Sequence, residues 1–171
     1  NLIKHKMISK KIKLVLTDVD GVLTDSGRDY SDSGEILKKF HTRDGMGVNI
    51  LLRNNIQTGI ITKEDSKIVK TWAKDMNISF IKTGIKKKEL ELEKICDKYS
   101  LKKEEIAYIG DDVNDLLLLK KVGFSGCPFD GIESIKKIVN YVCKNKGGHG
   151  SFREFSEIIL KNNFGKKVFW Y

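Results

Sequence analysis

The sequence LVLTDVDGVLTD, residues 14–25, contains an apolar run that leads directly into acidic residues. A short, continuous apolar run such as residues 14–16 is typical of a strand that is covered on both faces of a parallel sheet. Asp18 and Asp20 would then stand at the carboxyl end of this strand, where open parallel sheets bind their ligands. Gly21 lets the backbone turn sharply away from that edge. This stretch therefore predicts a buried strand with an acidic site at its end.

Further apolar runs alternate with segments of helical periodicity along the chain. The remaining predicted strands are residues 59–61, 78–81, 106–109 and 122–127. The predicted helices carry apolar residues three and four positions apart around Trp72, Ile95, Ile135 and Phe155. Strands that alternate with helices form crossover units. We therefore expect an α/β fold, a doubly wound parallel sheet with helices on both faces.

One segment interrupts this alternation. Residues 22–40 are polar and turn-rich, and SDSG at 31–34 separates two extended stretches. The pattern predicts a β-hairpin that projects from the end of the first strand. A hairpin that cannot bury both faces on its own sheet is a candidate for contacts with another subunit. We assign residues 1–11 to a leader, 12–161 to a single domain and 162–171 to a C-terminal tail.

Length and charge exclude several classes of protein. The 171 residues, 40% of them hydrophobic, suffice for the core of one domain, and no run approaches the roughly 20 apolar residues of a membrane span. Lys and Arg exceed Asp and Glu by 32 to 23, which gives a net charge of +9. We interpret the excess as a solvated surface and not as a nucleic-acid or membrane interface, because most of it is scattered lysine. Three unevenly spaced cysteines predict reduced thiols and a cytoplasmic protein.

Polar residues follow each of the first four strands predicted for the sheet. They are DVD at 18–20, TKEDS at 62–66, KKK at 86–88 and GDDVND at 110–115. The carboxyl ends of parallel strands meet at one edge of the sheet, so carboxylates, a hydroxyl and a lysine are expected to converge there.

The carboxylates of Asp18, Asp20 and Asp111 would repel one another at close range unless a cation neutralised them. Oxygen ligands select a hard ion such as Mg²⁺. Beside that ion and facing a phosphate, Asp18 can attack phosphorus and form an aspartyl-phosphate. Asp20 lies two residues further along an extended chain and thus on the same side, where it can protonate the leaving oxygen and later deprotonate the attacking water. The pattern predicts Mg²⁺-dependent phosphoryl transfer.

Four motifs occur in a fixed order along the chain. DVDGVLT at 18–24 matches the pattern DxDGxxT, a hydroxyl follows at Thr62, a lysine at Lys88, and an acidic pair at Asp111 and Asp115. This series resembles the haloacid dehalogenase superfamily of phosphohydrolases, which implies a Rossmann-like core.

The resemblance also implies a role for each motif residue. The catalytic residues would be Asp18, Asp20, Thr62 and Lys88. The Mg²⁺ ligands would be Asp18, Asp20 and Asp111, with Asp112 and Asp115 next to them.

Within that superfamily, residues 12–160 resemble the 3-deoxy-D-manno-octulosonate 8-phosphate phosphatases. RDGMG at 43–47, YIGDD at 108–112 and GGHGSFRE at 147–154 fit the pattern of that family. Many members of the superfamily insert a cap domain, but only a hairpin and a helix fit within residues 26–61. The resemblance implies a capless homotetramer in which a neighbouring subunit completes each open site.

The substrate implied by the resemblance is an anionic 2-keto-3-deoxy sugar acid phosphate. Its binding residues would be Arg43, Glu64, Gly147, Gly148 and Arg153. Octulosonate members usually carry Thr-Gly-Arg at the second motif, whereas residues 62–64 here are TKE, which resembles the phosphatases of nine-carbon, sialic-acid-type 9-phosphates. Arg43 instead resembles the octulosonate branch, so the eight-carbon ester is expected and the nine-carbon ester is the alternative. Arg153 could instead pair with Glu154 or Glu157 on its own helix.

Two other classes of protein share parts of this pattern. A signalling receiver domain also combines aspartates, a hydroxyl, a lysine and Mg²⁺ on a doubly wound sheet. Its phosphorylated aspartate ends the third strand, however, whereas the third strand here leads into lysines. A non-catalytic assembly module, the other alternative, has no need of the complete acidic set.

Overall fold

The computed structural model describes residues 8–171, without the side chains of Glu35 and Ile36. Most of the predicted leader lies outside these described residues. The strands are β1 (Leu14–Thr17), β2 (Asp29–Ser31), β3 (Gly34–Leu37), β4 (Gln57–Ile61), β5 (Phe80–Lys82), β6 (Ile106–Ile109), β7 (Phe124–Cys127) and β8 (Tyr141–Val142). Six of them form one sheet in the order β5-β4-β1-β6-β7-β8, and every pair in it is parallel.

The strand that begins the sequence pattern lies at the centre of the sheet. β1 pairs with β4 on one side and with β6 on the other, so that Leu16 is opposite both Gly59 and Tyr108. All four residues of β1 are buried, as its continuous apolar run predicts. The strand order reverses beside β1, because β4 and β5 follow in one direction and β6 to β8 in the other. Doubly wound sheets form their ligand crevice at this kind of reversal.

Helices cover both faces of the sheet, which confirms the predicted fold class. They are α1 (Thr42–Arg53), α2 (Lys67–Asp75), α3 (Glu91–Tyr99), α4 (Leu116–Leu119), α5 (Glu133–Lys136) and α6 (Ser151–Phe164). Apolar residues of α1, α2 and α6 form one core cluster, and those of α3, α4 and α5 form the other. Short 3-10 turns occur at Lys88–Leu90, Lys103–Glu105, Val113–Asp115 and Gly165–Lys167. None of the helices in the described part of the chain is long and apolar enough to cross a bilayer.

The predicted hairpin is present and stands apart from the main sheet. β2 and β3 pair only with each other, in antiparallel orientation. Tyr30 and Leu37 are 63% and 54% exposed, so the hairpin offers apolar side chains to its surroundings. Between β1 and β4 the chain forms only this hairpin and α1, and no cap domain is inserted there.

Some short elements differ from the sequence-based expectation. β8 has two residues, too few to give an apolar run, and α4 is a single turn of four leucines with no helical periodicity. The helix predicted around Ile135 ends at Lys136. Ile138 and Val139, which belong to the same predicted stripe, pack against the core cluster from the turn that follows.

The C-terminal residues pack against α1. α6 continues to Phe164, past the predicted start of the tail at residue 162. Phe169 lies beyond the end of α6. Its carbonyl accepts from the side chain of Asn54, at the end of α1, at 2.8 Å, and its N–H donates to that side chain at 3.0 Å. Val168 is buried in the same core cluster as α1.

Candidate active site

Three neighbouring strands carry predicted site residues at their carboxyl ends. Asp18 follows β1, Thr62 follows β4, and Asp111 lies two residues beyond β6. Main-chain hydrogen bonds continue past the strand ends, from the N–H of Asp18 to the carbonyl of Ile109 at 3.1 Å and from the N–H of Thr62 to the carbonyl of Lys82 at 2.9 Å. The sheet thereby fixes the backbone of both residues.

A cleft of about 200 Å³ opens at this edge of the sheet. Residues that line it include Asp18, Asp20, Thr62, Glu64, Asp111 and Asp112. The structure therefore brings six of the predicted site residues to one cavity.

Lys88 is fully buried, and its ammonium joins two of the carboxylates. Nζ lies 2.7 Å from Oδ2 of Asp18, 2.7 Å from Oδ1 of Asp115 and 3.3 Å from the hydroxyl of Tyr108. These contacts use all three donors of an ammonium group. Burial lowers the pKa of Lys88, but the two carboxylates outweigh that effect and raise the pKa overall, so the lysine stays charged. Its neighbours at 86–87 are exposed.

Both carboxylate oxygens of Asp115 accept hydrogen bonds from groups of the protein. Oδ1 accepts from Lys88 and, at 2.5 Å, from the hydroxyl of Tyr108. Oδ2 accepts from the N–H groups of Asp111 at 3.0 Å and Asp112 at 3.3 Å. Asp115 thus orients both Lys88 and the loop that carries Asp111. Asp112 itself is exposed, and its carboxylate caps the short turn that follows it.

Asp18 and Asp111 have raised pKa values. Burial is the main cause for Asp18, whose pKa rises to about 7 because repulsion from Asp115 adds to it and Lys88 only partly opposes it. Burial likewise raises the pKa of Asp111 to about 8, with Asp18 and Asp115 adding to the shift. Three carboxylates against one ammonium leave two negative charges without a counter-charge, which favours a divalent cation.

The donor atoms also fit such a cation. One oxygen each from Asp18, Asp111 and Asp115 lie within 4.8 Å of one another. Because Asp115 is committed to Lys88 and to the loop, Asp18 and Asp111 are the carboxylates that would hold the ion. Gly21, at a φ of +90°, leaves room for Asp111, since a Cβ at that position would lie 1.9 Å from Oδ2 of Asp111.

The carboxylate of Asp20 belongs to a different set of contacts. We expected it to join Asp18 and Asp111, but Oδ1 of Asp20 pairs with Lys38 and Oδ2 lies 3.3 Å from Arg28. Both cations come from the hairpin segment and hold Asp20 apart from the three-carboxylate cluster. The carboxylate of Asp20 nevertheless lines the same cleft as Asp18.

Sequence reasoning missed Lys38 and Arg28 as site residues. The side chain of Lys38 is completely buried, and Nη2 of Arg28 lies 3.4 Å from Oε1 of Glu64 in addition to its contact with Asp20. Neither residue belongs to a catalytic motif. The available signal was their position, because the hairpin starts directly after the motif at 18–24 and its basic residues must lie near the strand end.

Arg43 and Arg153 lie elsewhere, in a second cavity of about 360 Å³ that also contains His149. The residues that line this cavity do not overlap with those that line the acidic cleft. Nε of Arg153 donates to Oε1 of Glu157 at 2.9 Å, the alternative pairing on its own helix. Within the described chain, the two arginines are therefore not brought to the acidic cleft.

Gly147 and Gly148 pack against the motif loop of their own chain. A Cβ on Gly147 would lie 2.0 Å from the carbonyl oxygen of Gly21. Gly148 has a φ of +66° and donates from its N–H to the carbonyl of Val22 at 2.9 Å. Close backbone packing explains the glycines, and the segment braces the loop that follows β1.

The arrangement combines the parts of a phosphoryl-transfer site. At the position predicted for the nucleophile, the carboxylate of Asp18 is held by Lys88 and by the N–H of Val19, which donates to Oδ1 at 2.7 Å. Asp20 is a separate carboxyl group in the same cleft, available to exchange a proton, and Thr62 adds a hydroxyl.

Comparison with known proteins agrees with this geometry. The sequence pattern of the haloacid dehalogenase-like hydrolases matches residues 51–153. The 3-deoxy-D-manno-octulosonate 8-phosphate phosphatase KdsC of Haemophilus influenzae is 37% identical over 160 residues, which cover 94% of this chain and 89% of that protein.

Solved structures of related proteins superimpose closely. The cobalt-bound phosphatase of Haemophilus influenzae has a TM-score of 0.88 and 38% identity, with 92% of this chain and 91% of that one covered. The Moraxella catarrhalis phosphatase, in complex with a magnesium ion, a phosphate ion and a KDO molecule, has a TM-score of 0.88 and 35% identity over the same shares. The chain is thus a phosphomonoester hydrolase of the haloacid dehalogenase type and belongs to the 3-deoxy-D-manno-octulosonate 8-phosphate phosphatase family.

Proposed function

We propose that the chain is a Mg²⁺-dependent phosphatase that hydrolyses a 2-keto-3-deoxy sugar acid phosphate through an aspartyl-phosphate. The observation that carries the proposal is the group formed by the buried Asp18 and Lys88 with the partly buried Asp111 at the edge of the cleft. The names of the relatives, and the magnesium, phosphate and KDO in the Moraxella catarrhalis structure, support the same assignment.

The carboxylates of Asp18 and Asp111 would hold Mg²⁺, whereas the carboxylate of Asp20 is engaged by Lys38 and Arg28. When bound, the ion offsets the repulsion between these carboxylates and the phosphate dianion.

The first chemical step belongs to Asp18 and Asp20. A carboxylate oxygen of Asp18 attacks phosphorus, a new O–P bond forms, and the bond from phosphorus to the sugar oxygen breaks. Asp20 gives its proton to that leaving oxygen. The buried ammonium of Lys88 keeps Asp18 in position. The hydroxyl of Thr62, which lines the cleft, is available to a phosphoryl oxygen.

The second step returns the enzyme to its starting state. Asp20, now a carboxylate, takes a proton from water, whose oxygen attacks the phosphorus of the aspartyl-phosphate. The O–P bond to Asp18 breaks, and inorganic phosphate leaves with the oxygen of the water. No net oxidation occurs, and each proton lent by Asp20 is recovered.

The eight-carbon octulosonate 8-phosphate is the primary substrate assignment, because the relatives carry that name. The nine-carbon, sialic-acid-type 9-phosphate remains the alternative, because residues 62–64 are TKE and Glu64 lines the cleft.

We further propose a homotetramer in which a neighbour completes the open cleft. The exposed apolar side chains of the hairpin support an interface there, and the separate cavity with Arg43 and Arg153 is then free to face a neighbouring cleft. The three cysteines, Cys96, Cys127 and Cys143, are buried and unpaired, which fits the predicted cytoplasmic location.

A phosphate-release assay tests the substrate assignment. Purified protein is incubated with the eight-carbon ester, the nine-carbon ester and several ordinary sugar phosphates, each with Mg²⁺ or with a chelator. We expect fast release from one of the two sugar acid esters and at least a hundredfold loss without Mg²⁺ (about the effect of removing a required charge-stabilising group). Equal, slow rates on every ester would contradict the assigned substrate.

The mechanism is tested by Asp18→Asn, with Asp32→Asn on the exposed hairpin turn as the matched control. The amide cannot act as the nucleophile, so we expect the first variant to lose turnover by at least about a thousandfold while remaining folded. The control should keep the rate of the unaltered protein. Normal hydrolysis by the Asp18 variant would show that another group attacks phosphorus.

A further inference from the structure

Arg28 spans the mouth of the acidic cleft. Its Nη2 lies 3.3 Å from Oδ2 of Asp20 on one side and 3.4 Å from Oε1 of Glu64 on the other. Nη1 lies 3.4 Å from the hydroxyl of Tyr30 on the hairpin. A single guanidinium therefore connects the hairpin, the motif loop after β1 and the loop after β4.

The exposure of the side chains shows the direction in which a bound ester must run. The exposed fraction rises from 6% for Asp18 to 17% for Asp20, 30% for Arg28 and 41% for Glu64. The phosphoryl group must reach Asp18 at the bottom, and Asp20 must reach the leaving oxygen above it. The rest of the leaving group then extends outward past Arg28 and Glu64.

The contacts of Arg28 leave it able to bind a further anion. Its contacts with the carboxylates of Asp20 and Glu64 are both longer than the roughly 2.7–2.9 Å of a strong charge-assisted hydrogen bond. The guanidinium has five N–H donors, and these contacts occupy only some of them. The two carboxylates hold the side chain of Arg28 across the opening of the cleft, and some of its N–H donors remain available to a ligand.

Acidic residues at the opening of the cleft make a cation necessary there for an anionic substrate. Glu64 and Asp112 line this opening and would repel a leaving group that carries a carboxylate. Lys88 cannot compensate, because it is buried at the bottom and already joins Asp18 and Asp115. Lys63 is the other basic residue that lines the cleft, and its ammonium is a point charge without the planar fork of a guanidinium. A planar guanidinium at this height can bind a carboxylate through two parallel hydrogen bonds.

We propose that Arg28 is a specificity-determining residue that binds the anionic leaving group of the ester, with Glu64 holding the guanidinium in place. This assignment rests on the proposed function, since it requires a substrate whose leaving group carries a carboxylate. It places the discrimination between sugar acid phosphates and other esters in the hairpin segment, outside the catalytic motifs.

The test compares two esters that differ in the leaving group. The first is the sugar acid phosphate that the unaltered protein hydrolyses best, and the second is p-nitrophenyl phosphate, whose leaving group has no carboxylate. For Arg28→Gln, we expect the ratio of kcat/KM for the first ester to that for the second to fall about tenfold or more, the effect of one charged hydrogen bond. Most of the change should appear in KM for the sugar acid ester. An indirect effect through Asp20 would instead lower kcat for the sugar acid ester and leave its KM unchanged, because the sugar oxygen needs a proton to leave whereas p-nitrophenolate does not.

Arg53→Gln is the matched control, because Arg53 lies at the far end of α1 and donates to the carbonyl of Trp170 at 3.0 Å. Its ratio should equal that of the unaltered protein, and thermal unfolding should show that both variants are folded. An unchanged ratio in Arg28→Gln, with normal hydrolysis by the unaltered protein, would overturn the role of Arg28 alone. If the unaltered protein released phosphate from p-nitrophenyl phosphate but from no sugar acid ester, the proposed substrate itself would fall and Arg28's role with it.

Discussion

Lys88 shows how much of the site depends on one side chain. Its ammonium lies between the carboxylates of Asp18 and Asp115 and pairs with both, and all three residues are buried. A buried ion pair adds little to stability when compared with an apolar replacement of the whole group, but removal of one partner leaves a buried charge without compensation.

Lys88→Met removes the ammonium and keeps a side chain of similar length. We expect the free energy of unfolding to fall by about 3–5 kcal/mol and phosphate release to disappear, as measured by urea denaturation and by the release assay. Lys87→Met, next to it and exposed, should change stability by less than about 0.5 kcal/mol. Equal stability of the two variants would mean that the buried carboxylates do not need Lys88.

The raised pKa values of Asp18 and Asp111 predict an unusual pH dependence for the protein without a metal ion. Both pKa values are higher in the folded chain, about 7 and 8, than the ordinary value of 3.8 that applies when the chain is unfolded. The folded state therefore binds more protons between about pH 4 and pH 8, and stability must decrease as the pH rises through that range.

Thermal unfolding in a chelator should show this decrease between pH 5.5 and pH 8. Added Mg²⁺ should raise the unfolding temperature more at pH 8 than at pH 5.5, because the ion needs ionised carboxylates. Asp111→Asn should weaken both effects. A metal-free protein whose stability rises steadily over this range would contradict the assignment.

For individual residues, the sequence predicts the positions of those that directly follow a strand. Asp18, Thr62 and Asp111 are fixed by the parallel sheet, so their convergence follows from the pattern of strands alone. Arg28 and Lys38 could not be placed in this way, because their positions depend on how the hairpin folds back over the site.

Helix α6 illustrates what a single buried carboxylate does for an element. Asp44 on α1 is completely buried, and its two oxygens accept from the N–H of Arg153 at 2.9 Å and the N–H of Gly150 at 3.3 Å. These N–H groups belong to the start of α6, where a helix has no main-chain partners for them. Asp44 therefore caps α6 from a neighbouring helix.

Asp44→Ala leaves both donors without an acceptor. We expect a loss of about 1–3 kcal/mol in the free energy of unfolding, measured by chemical denaturation. Asp44→Asn keeps one acceptor oxygen and avoids a buried charge, whose cost is evident in the raised pKa of Asp44. The Asn variant should therefore lose less than the Ala variant, and the reverse order would argue against a capping role.

The longer elements were predictable because their periodicity reflects burial. The strands of the central sheet read as continuous apolar runs, and the long helices carry one apolar face. Asp44 could be read only as part of a motif, because its partner lies more than a hundred residues away in the sequence. β8 is too short for an apolar run to define it, and the periodicity around Ile135 predicted α5 but not its early end at Lys136.

For the whole molecule, the exposed hairpin is the main unexplained surface. Tyr30 and Leu37 stand on a two-stranded sheet that has no third strand in the described chain. A hairpin of this size has little stability alone, and the proposed tetramer would give it a partner.

Light scattering should report the mass of four chains for the unaltered protein. Tyr30→Ser combined with Leu37→Ser should dissociate this assembly, since it removes apolar area from the interface, and should lower activity by at least about tenfold if neighbours complete the clefts. Leu52→Ser, an exposed apolar residue outside the hairpin, serves as the control. A fully active monomer would refute both the assembly and its part in catalysis.

The bracing of the motif loop by Gly147 and Gly148 has a consequence during translation. The loop around Gly21 leaves the ribosome early, whereas the segment that packs on it is made roughly 125 residues later. A nascent chain that has just exposed Asp111 already contains Asp18, Asp20, Thr62 and Lys88, yet the loop that follows β1 lacks support on one side. We therefore expect hydrolysis to begin only after the C-terminal part has been synthesised and has folded back, so that the start of activity follows the completion of the domain.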